Sequence, residues 1–99
     1  MVTALRFDWD PQKDGANRRK HGIPFAEAEV IFWDENALLL DDPDHSDEED
    51  RFVLLGLSGR LRLLAVVHSY QAHEAVIRII SARKATRREH ELYRERLRS

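Results

Sequence analysis

The chain has 99 residues, 42% hydrophobic and 34% charged, with a formal net charge of −2 and no cysteine. That length supports one core in a single domain over residues 1–99, the apolar content excludes a disordered chain, and the missing cysteines exclude disulfide staples and thiolate–metal frameworks. No stretch approaches the roughly 20 apolar residues of a membrane span and the N-terminus lacks a signal peptide's apolar run, so a cytoplasmic protein with no membrane partner is expected.

In chain order, Leu5, Phe7 and Trp9 alternate with Arg6 and Asp8, the period of a first strand. Asp10-Pro11 then opens a helix, with Asp10 able to cap free amides and Pro11 where a missing N–H does no harm, and Lys20-His21-Gly22 closes it. This helix is short and polar, so packing must hold it. A second begins near Pro24, carrying Phe25, Ala28, Ile31 and Phe32 at helical spacing. Ala37 to Leu40 reads as a strand, and Asp41 to Asp50 as a loop with seven acids.

Phe52 to Leu57 and Leu61 to His68 are apolar runs separated by Ser58-Gly59-Arg60, the form of a tight hairpin. Ser69 to Glu74 turns into Val76-Ile77-Arg78-Ile79-Ile80, a β-branched run with a cation in its middle and Arg83 and Lys84 at its end. A buried, unpaired guanidinium would cost several kcal/mol, so Arg78 must meet a carboxylate, a phosphate or an open sheet face. Thr86-Arg87-Arg88-Glu89 is a capping box that opens a last helix, with Tyr93 and Leu97 on one side of it. The order β-α-α-β-β-β-β-α predicts an α+β fold: a small antiparallel sheet with helices packed against it.

The charge is divided between the halves. Residues 1–50 hold 14 acids and 5 bases, giving −9, and residues 51–99 hold 4 acids and 11 bases, giving +7. The basic half suits a polyanion, unless the two halves simply neutralise one another. Asp42-Pro43-Asp44-His45-Ser46-Asp47 has the oxygen spacing of a calcium loop but lacks its sixth-position glycine and twelfth-position glutamate, so a solvated run or a docking surface for a basic partner is the better reading. His21, His45, His68, His73 and His90 match no zinc spacing, and no metal or other cofactor is predicted.

Five residues are candidates for catalysis: Arg51, His68, Arg78, Arg83 and Lys84. Arg78, Arg83 and Lys84, with one histidine and the nearby Tyr93, would suit RNA cleavage in which the 2′-hydroxyl attacks its own phosphate, a base takes its proton and the cations hold the charge of a phosphorane, without a metal. Losing one such transition-state contact costs on the order of 10²–10³ in rate. Arg62, Arg87, Arg88 and Tyr93 are candidates to bind the RNA. His68, Arg62 and Arg78 share a face if hairpin partners sum to an even number. The competing reading pairs Arg51 with Glu48 or Glu49, and Arg78 and Arg83 with Glu74, Glu89 or the acidic half.

Four blocks carry a family resemblance: Phe7-Asp8-Trp9-Asp10 with Lys13 and Asn17; Lys20-His21-Gly22-Ile23-Pro24-Phe25 with Glu27-Ala28; Glu49-Asp50-Arg51-Phe52 with Gly56; and Arg78-Ile79-Ile80-Ser81-Ala82-Arg83-Lys84-Ala85-Thr86 with Glu89 and Tyr93. From Leu5 to about Tyr93 the chain resembles the BrnT family of bacterial toxins. The resemblance implies a RelE-like fold, metal-independent ribonuclease activity that stops translation, and a BrnA-type antitoxin with a ribbon-helix-helix DNA-binding domain. It implies contact with operator DNA only through that antitoxin, in a homodimer or a heterotetramer with it, and puts Arg51, Arg78, Arg83 and Lys84 in the family's basic positions. A catalytically weak homologue acting as a co-repressor is the alternative, separated from the toxin by whether expression alone arrests growth.

Overall fold

Capping residues set the helix limits, and the structure, a computed structural model, describes residues 5–41, 51–71 and 73–99. Strand β1 (Arg6–Asp8) leads into helix α1 (Pro11–His21), where Asp10 accepts from the Gln12 N–H at 2.9 Å and Gly22 takes φ 73° at the C-terminal end. Among the residues of α1 only Asn17 is buried. Its Nδ2 donates to the carbonyls of Ile23 (2.9 Å) and Ala82 (2.8 Å), while its Oδ1 accepts from the Ala82 N–H at 3.1 Å. One carboxamide thus satisfies three buried backbone groups and ties α1 to the last strand, the packing that so polar a helix requires.

Helix α2 (Phe25–Val30) runs into a 3-10 turn (Ile31–Trp33) and buries Phe25, Ala28 and Ile31. Asp14 of α1 accepts the Phe25 N–H at 2.9 Å, so one helix caps the next. Strands β2 (Leu38–Asp41), β3 (Phe52–Leu57), β4 (Leu63–Gln71) and β5 (Val76–Lys84) follow, then helix α3 (Arg87–Arg98), whose Thr86–Glu89 capping box is formed. The predicted element order is therefore observed, with the 3-10 turn added. The acidic stretch beyond Asp41, including the calcium-like spacing, lies outside the described residues.

The sheet order is β1-β5-β4-β3-β2. Strands β2 to β5 pair antiparallel, but β1 runs parallel to β5, so the sheet is mixed and not wholly antiparallel as predicted. Alternation reveals which face a side chain takes, and strand direction is free where two strands lie far apart in sequence. The turn between β3 and β4 is also longer than Ser58-Gly59-Arg60: the Ser58 N–H donates to the Arg62 carbonyl at 2.9 Å, and Leu61 takes φ 61° at 79% exposure. A leucine in that region is uncommon, and its side chain gains nothing from burial there.

Leu54, Leu64, Val66, Ile77 and Ile79 pack on one face against Ile23, Phe25, Ala28 and Ile31. At Gly56 a Cβ would sit 2.9 Å from the Ile31 Cβ, so glycine lets the 3-10 turn close onto β3. On the other face Val53, Leu55 and Ala65 pack with Leu38, Leu40 and Leu92 of α3. Leu97, predicted beside Tyr93, stays 52% exposed, while Tyr93 is buried. Between β4 and β5 the register shifts: Val67 opposes Ser81, but His68 opposes Ile79, leaving Ile80 as an extra residue. Among the described residues no helix is long and apolar enough to cross a membrane.

Candidate functional site

The register shift decides which cations meet. Arg83 opposes Ala65, on the α3 side of the sheet, and a regular strand would turn Arg78, five residues earlier, to the helix-covered side. The extra residue restores Arg78 to the α3 side, opposite Ser69 and in register with Asp8. Between that face and α3 lies a hollow of about 590 Å³, with Arg51, Arg83 and Arg88 among its lining residues, Asp41 and Glu89 as its carboxylates, and Ile80 and Ser81 on the strand side. Among its described lining residues, three guanidinium groups face two carboxylates.

Arg83 donates from Nη1 and Nη2 to Glu89 at 2.7 and 3.0 Å. Glu89 also accepts the Thr86 N–H at 2.8 Å. The Arg83 hydrogen bonds, with the Thr86 N–H adding to them against the cost of burial, hold the Glu89 carboxyl below the usual range. This is the short-range pair that the capping-box spacing brings to the end of β5. Arg78 pairs with Asp8 at 2.8 Å, with side chains 38% and 55% exposed. Arg88 is exposed, 3.6 Å from Glu91, and Lys84 is exposed with no carboxylate partner among the described residues.

Other predicted residues go elsewhere. The hairpin partners do sum to an even number, Phe52 facing His68 and Leu57 facing Leu63, yet His68 and Arg78 end on opposite faces because of the extra residue. His68 is 5% exposed, with its ring edge-on to Phe32 at 4.9 Å between centroids. Its Nδ1 lies 3.2 Å from the Val66 carbonyl, which can only accept, so Nδ1 bears the proton. Burial pushes the imidazole below its ordinary pKa and keeps it neutral. It cannot reach a ligand in the hollow.

Arg62 lies on the helix side, engaging both oxygens of Glu27, and Ser58 donates to the same carboxylate at 2.7 Å. The Arg62 hydrogen bond, opposed by burial and helped by Ser58, lowers the Glu27 pKa. Tyr93 donates from its hydroxyl to Asp34 at 2.5 Å, and burial together with that bond pushes its pKa up to about 12. Burial alone would raise Asp34, but hydrogen bonds from Tyr93, Leu57 and Asn36 outweigh it and leave a lowered pKa. Arg62 and Tyr93 are therefore cross-braces within the fold, while Arg87 is exposed in the first turn of α3. Asn17, Glu27 and Asp34 were not recognised as structural partners from their spacing. A polar residue in a polar helix carries no local signal of burial.

Among the described residues no group of three or more His, Cys, Asp or Glu is arranged to hold a metal. Fold and hollow define a small α+β protein with a cationic recess beside an open part of its sheet, chemically suited to a phosphate-bearing ligand. Residues 9–89 match the family described as the ribonuclease toxin, BrnT, of type II toxin-antitoxin systems, and the chain belongs to that family. It is similar to the 1.1 Å crystal structure of the Brucella abortus ribonuclease toxin BrnT, with 27% identity, a TM-score of 0.63, and coverage of 85% of this chain and 100% of that one. No curated protein matches the chain. Membership places it in a family of ribonuclease toxins whose type II systems imply an antitoxin partner.

Proposed function

We propose that the chain is a RelE-like, metal-independent endoribonuclease that arrests translation and is neutralised by a BrnA-type ribbon-helix-helix antitoxin. The observation that carries the reading is the hollow on the α3 side of the sheet where Arg51, Arg83 and Arg88 come together. In the proposed reaction the 2′-hydroxyl oxygen bonds to the adjacent phosphorus as the bond to the 5′-oxygen breaks, the leaving 5′-oxygen takes a proton from solvent water, and the guanidinium groups hold the added phosphorane charge. Both Glu89 oxygens are engaged by Arg83, which leaves Asp41 as the lining carboxylate to accept the 2′-hydroxyl proton. Arg78 extends the basic face beyond the hollow, Lys84 stands at the strand end on the other face, and Arg87 adds charge from the first turn of α3, while His68 is left with a core role. Operator DNA is reached only through the antitoxin, in a homodimer or a heterotetramer with it.

The test has two arms. Expression alone in bacteria should arrest growth, with relief by the neighbouring antitoxin gene. Purified protein should cut RNA in the presence of a chelator. Cleavage abolished by the chelator removes the metal-independent chemistry. The Arg78–Asp8 and Arg83–Glu89 pairs favour a second reading, a weakly active co-repressor, because each neutralises a candidate cation. Harmless expression together with intact antitoxin binding would select it.

A further inference from the structure

A second cationic recess lies on the helix-covered side of the sheet. It measures about 520 Å³ and is lined by Gly15, Arg18, Arg19, Gly22, Pro24 and Arg60, with no carboxylate in its lining. All three arginines are exposed. The carboxylates nearest in the chain are already engaged: Asp14 accepts the Phe25 N–H at 2.9 Å, and Glu27 is bound by Ser58 at 2.7 Å and by Arg62. None of the three arginines is ion-paired among the described residues, in contrast to Arg62, Arg78 and Arg83.

Gly15 lines the recess directly beside Arg19. A glycine inside a helix costs about 1 kcal/mol relative to alanine, and Gly15 has an ordinary helical backbone that does not need it. A Cβ there would lie 3.5 Å from Nη1 of Arg19, an ordinary contact distance, so the guanidinium lies back along α1 beside this residue and a longer side chain at the position would meet it.

The end of the sheet lies between the recess and the first hollow. The Ala85 N–H donates to the Leu63 carbonyl at 3.0 Å and Leu64 opposes Lys84, which sets the end of β5 beside the β3–β4 turn that carries Arg60. Cations therefore run from Arg18 and Arg19 across Arg60, around the sheet end past exposed Lys84, to Arg83 and Arg88 at the first hollow. No aromatic side chain lines the second recess, so it offers charge and hydrogen-bond donors but no stacking platform.

We propose that Arg18, Arg19 and Arg60 form an auxiliary site for backbone phosphates of single-stranded RNA, gripping the strand where it leaves the cleavage hollow and passes around the end of the sheet. This rests on the ribonuclease reading above. Such a site tracks the backbone without reading bases, and it favours substrates long enough to span both recesses.

The experiment measures anisotropy of labelled 2′-O-methyl oligonucleotides, whose blocked 2′ oxygens prevent cleavage, at lengths of about 4 and about 16 nucleotides, the range of single-strand site sizes. The variants are a triple Arg18→Gln/Arg19→Gln/Arg60→Gln and, independently, Gly15→Glu, which sets a carboxylate against Arg19 while improving helix propensity. The triple variant should lose about 10- to 100-fold in affinity for the longer strand, and its log–log salt slope should flatten by about 2. Affinity for the shorter strand should be unchanged, and Gly15→Glu should weaken the longer strand in the same direction. Wild-type affinity of both variants for the longer strand overturns the proposal alone, as does loss of antitoxin binding with RNA binding intact, which would assign the recess to an acidic protein. A wild-type chain that binds neither strand overturns the ribonuclease reading along with it.

Discussion

Arg83 and Glu89 meet at the junction of β5 and α3 through two hydrogen bonds of 2.7 and 3.0 Å, and the same carboxylate caps the helix by accepting the Thr86 N–H. One acidic side chain thereby starts α3, orients a guanidinium at the rim of the hollow and cancels part of its charge. Stability and ligand affinity make opposite demands on it.

Glu89→Gln should therefore destabilise the fold by about 1–2 kcal/mol, from the weakened cap and the lost charge-assisted bonds, while tightening RNA binding. The lowered carboxyl pKa adds a pH dependence. Its stabilisation is complete above the unfolded value of 4.5 and is lost as pH falls through the lower folded pKa. Denaturant unfolding below pH 4.5 should show a steeper loss in the wild type than in the variant, and equal slopes would contradict the assignment.

Arg78→Ala should abolish toxicity without unfolding the chain. The pair it forms with Asp8 is largely exposed, and such pairs contribute ~0–1 kcal/mol. Growth curves measure the first effect and thermal unfolding the second. A folded variant that still arrests growth would remove Arg78 from the proposed site.

His68→Leu should keep ribonuclease activity and lose a pH response. The imidazole is neutral in the fold, so the unfolded chain binds more protons between the depressed folded pKa and the ordinary value of 6.5. Its stabilisation is full above 6.5 and declines as pH falls through the folded value. Unfolding titrations should show this component in the wild type only. Loss of cleavage in a well-folded His68→Leu protein would return the histidine to the chemistry.

Asn17→Ala should cost about 2–4 kcal/mol, because the Ala82 N–H and the carbonyls of Ile23 and Ala82 lose their partner inside the fold. Hydrogen exchange should rise first at the Ala82 amide. A change below about 0.5 kcal/mol, the size of an ordinary surface substitution, would contradict the role given to Asn17.

Helix limits were legible because Asp10, Pro11, Gly22, Thr86 and Glu89 act within one turn of themselves, and the strands because their apolar runs are bounded by turns. The direction of β1 was not legible, since Arg6 and Asp8 alternate identically in either orientation. Arg51 and Arg83 could be recognised as cations leaving or entering strands, and both line the hollow. His68, Arg62 and Tyr93 could not be sorted in the same way. Their surroundings are Phe32, Glu27 and Asp34, residues at least 35 positions away that come close only through tertiary packing.

The unpaired Ile80 makes the length of β5 as consequential as its chemistry. Removing that single residue would leave a regular ladder, with Ser81 still opposite Val67, Ile79 still opposite His68, and Arg78 still on the face of Arg83. Flattening the bulge with all nine residues kept would instead swing Arg78 inward toward the ring of His68, because parity along the strand is a property of counting. This segment should therefore accept one residue fewer more readily than a straightened backbone.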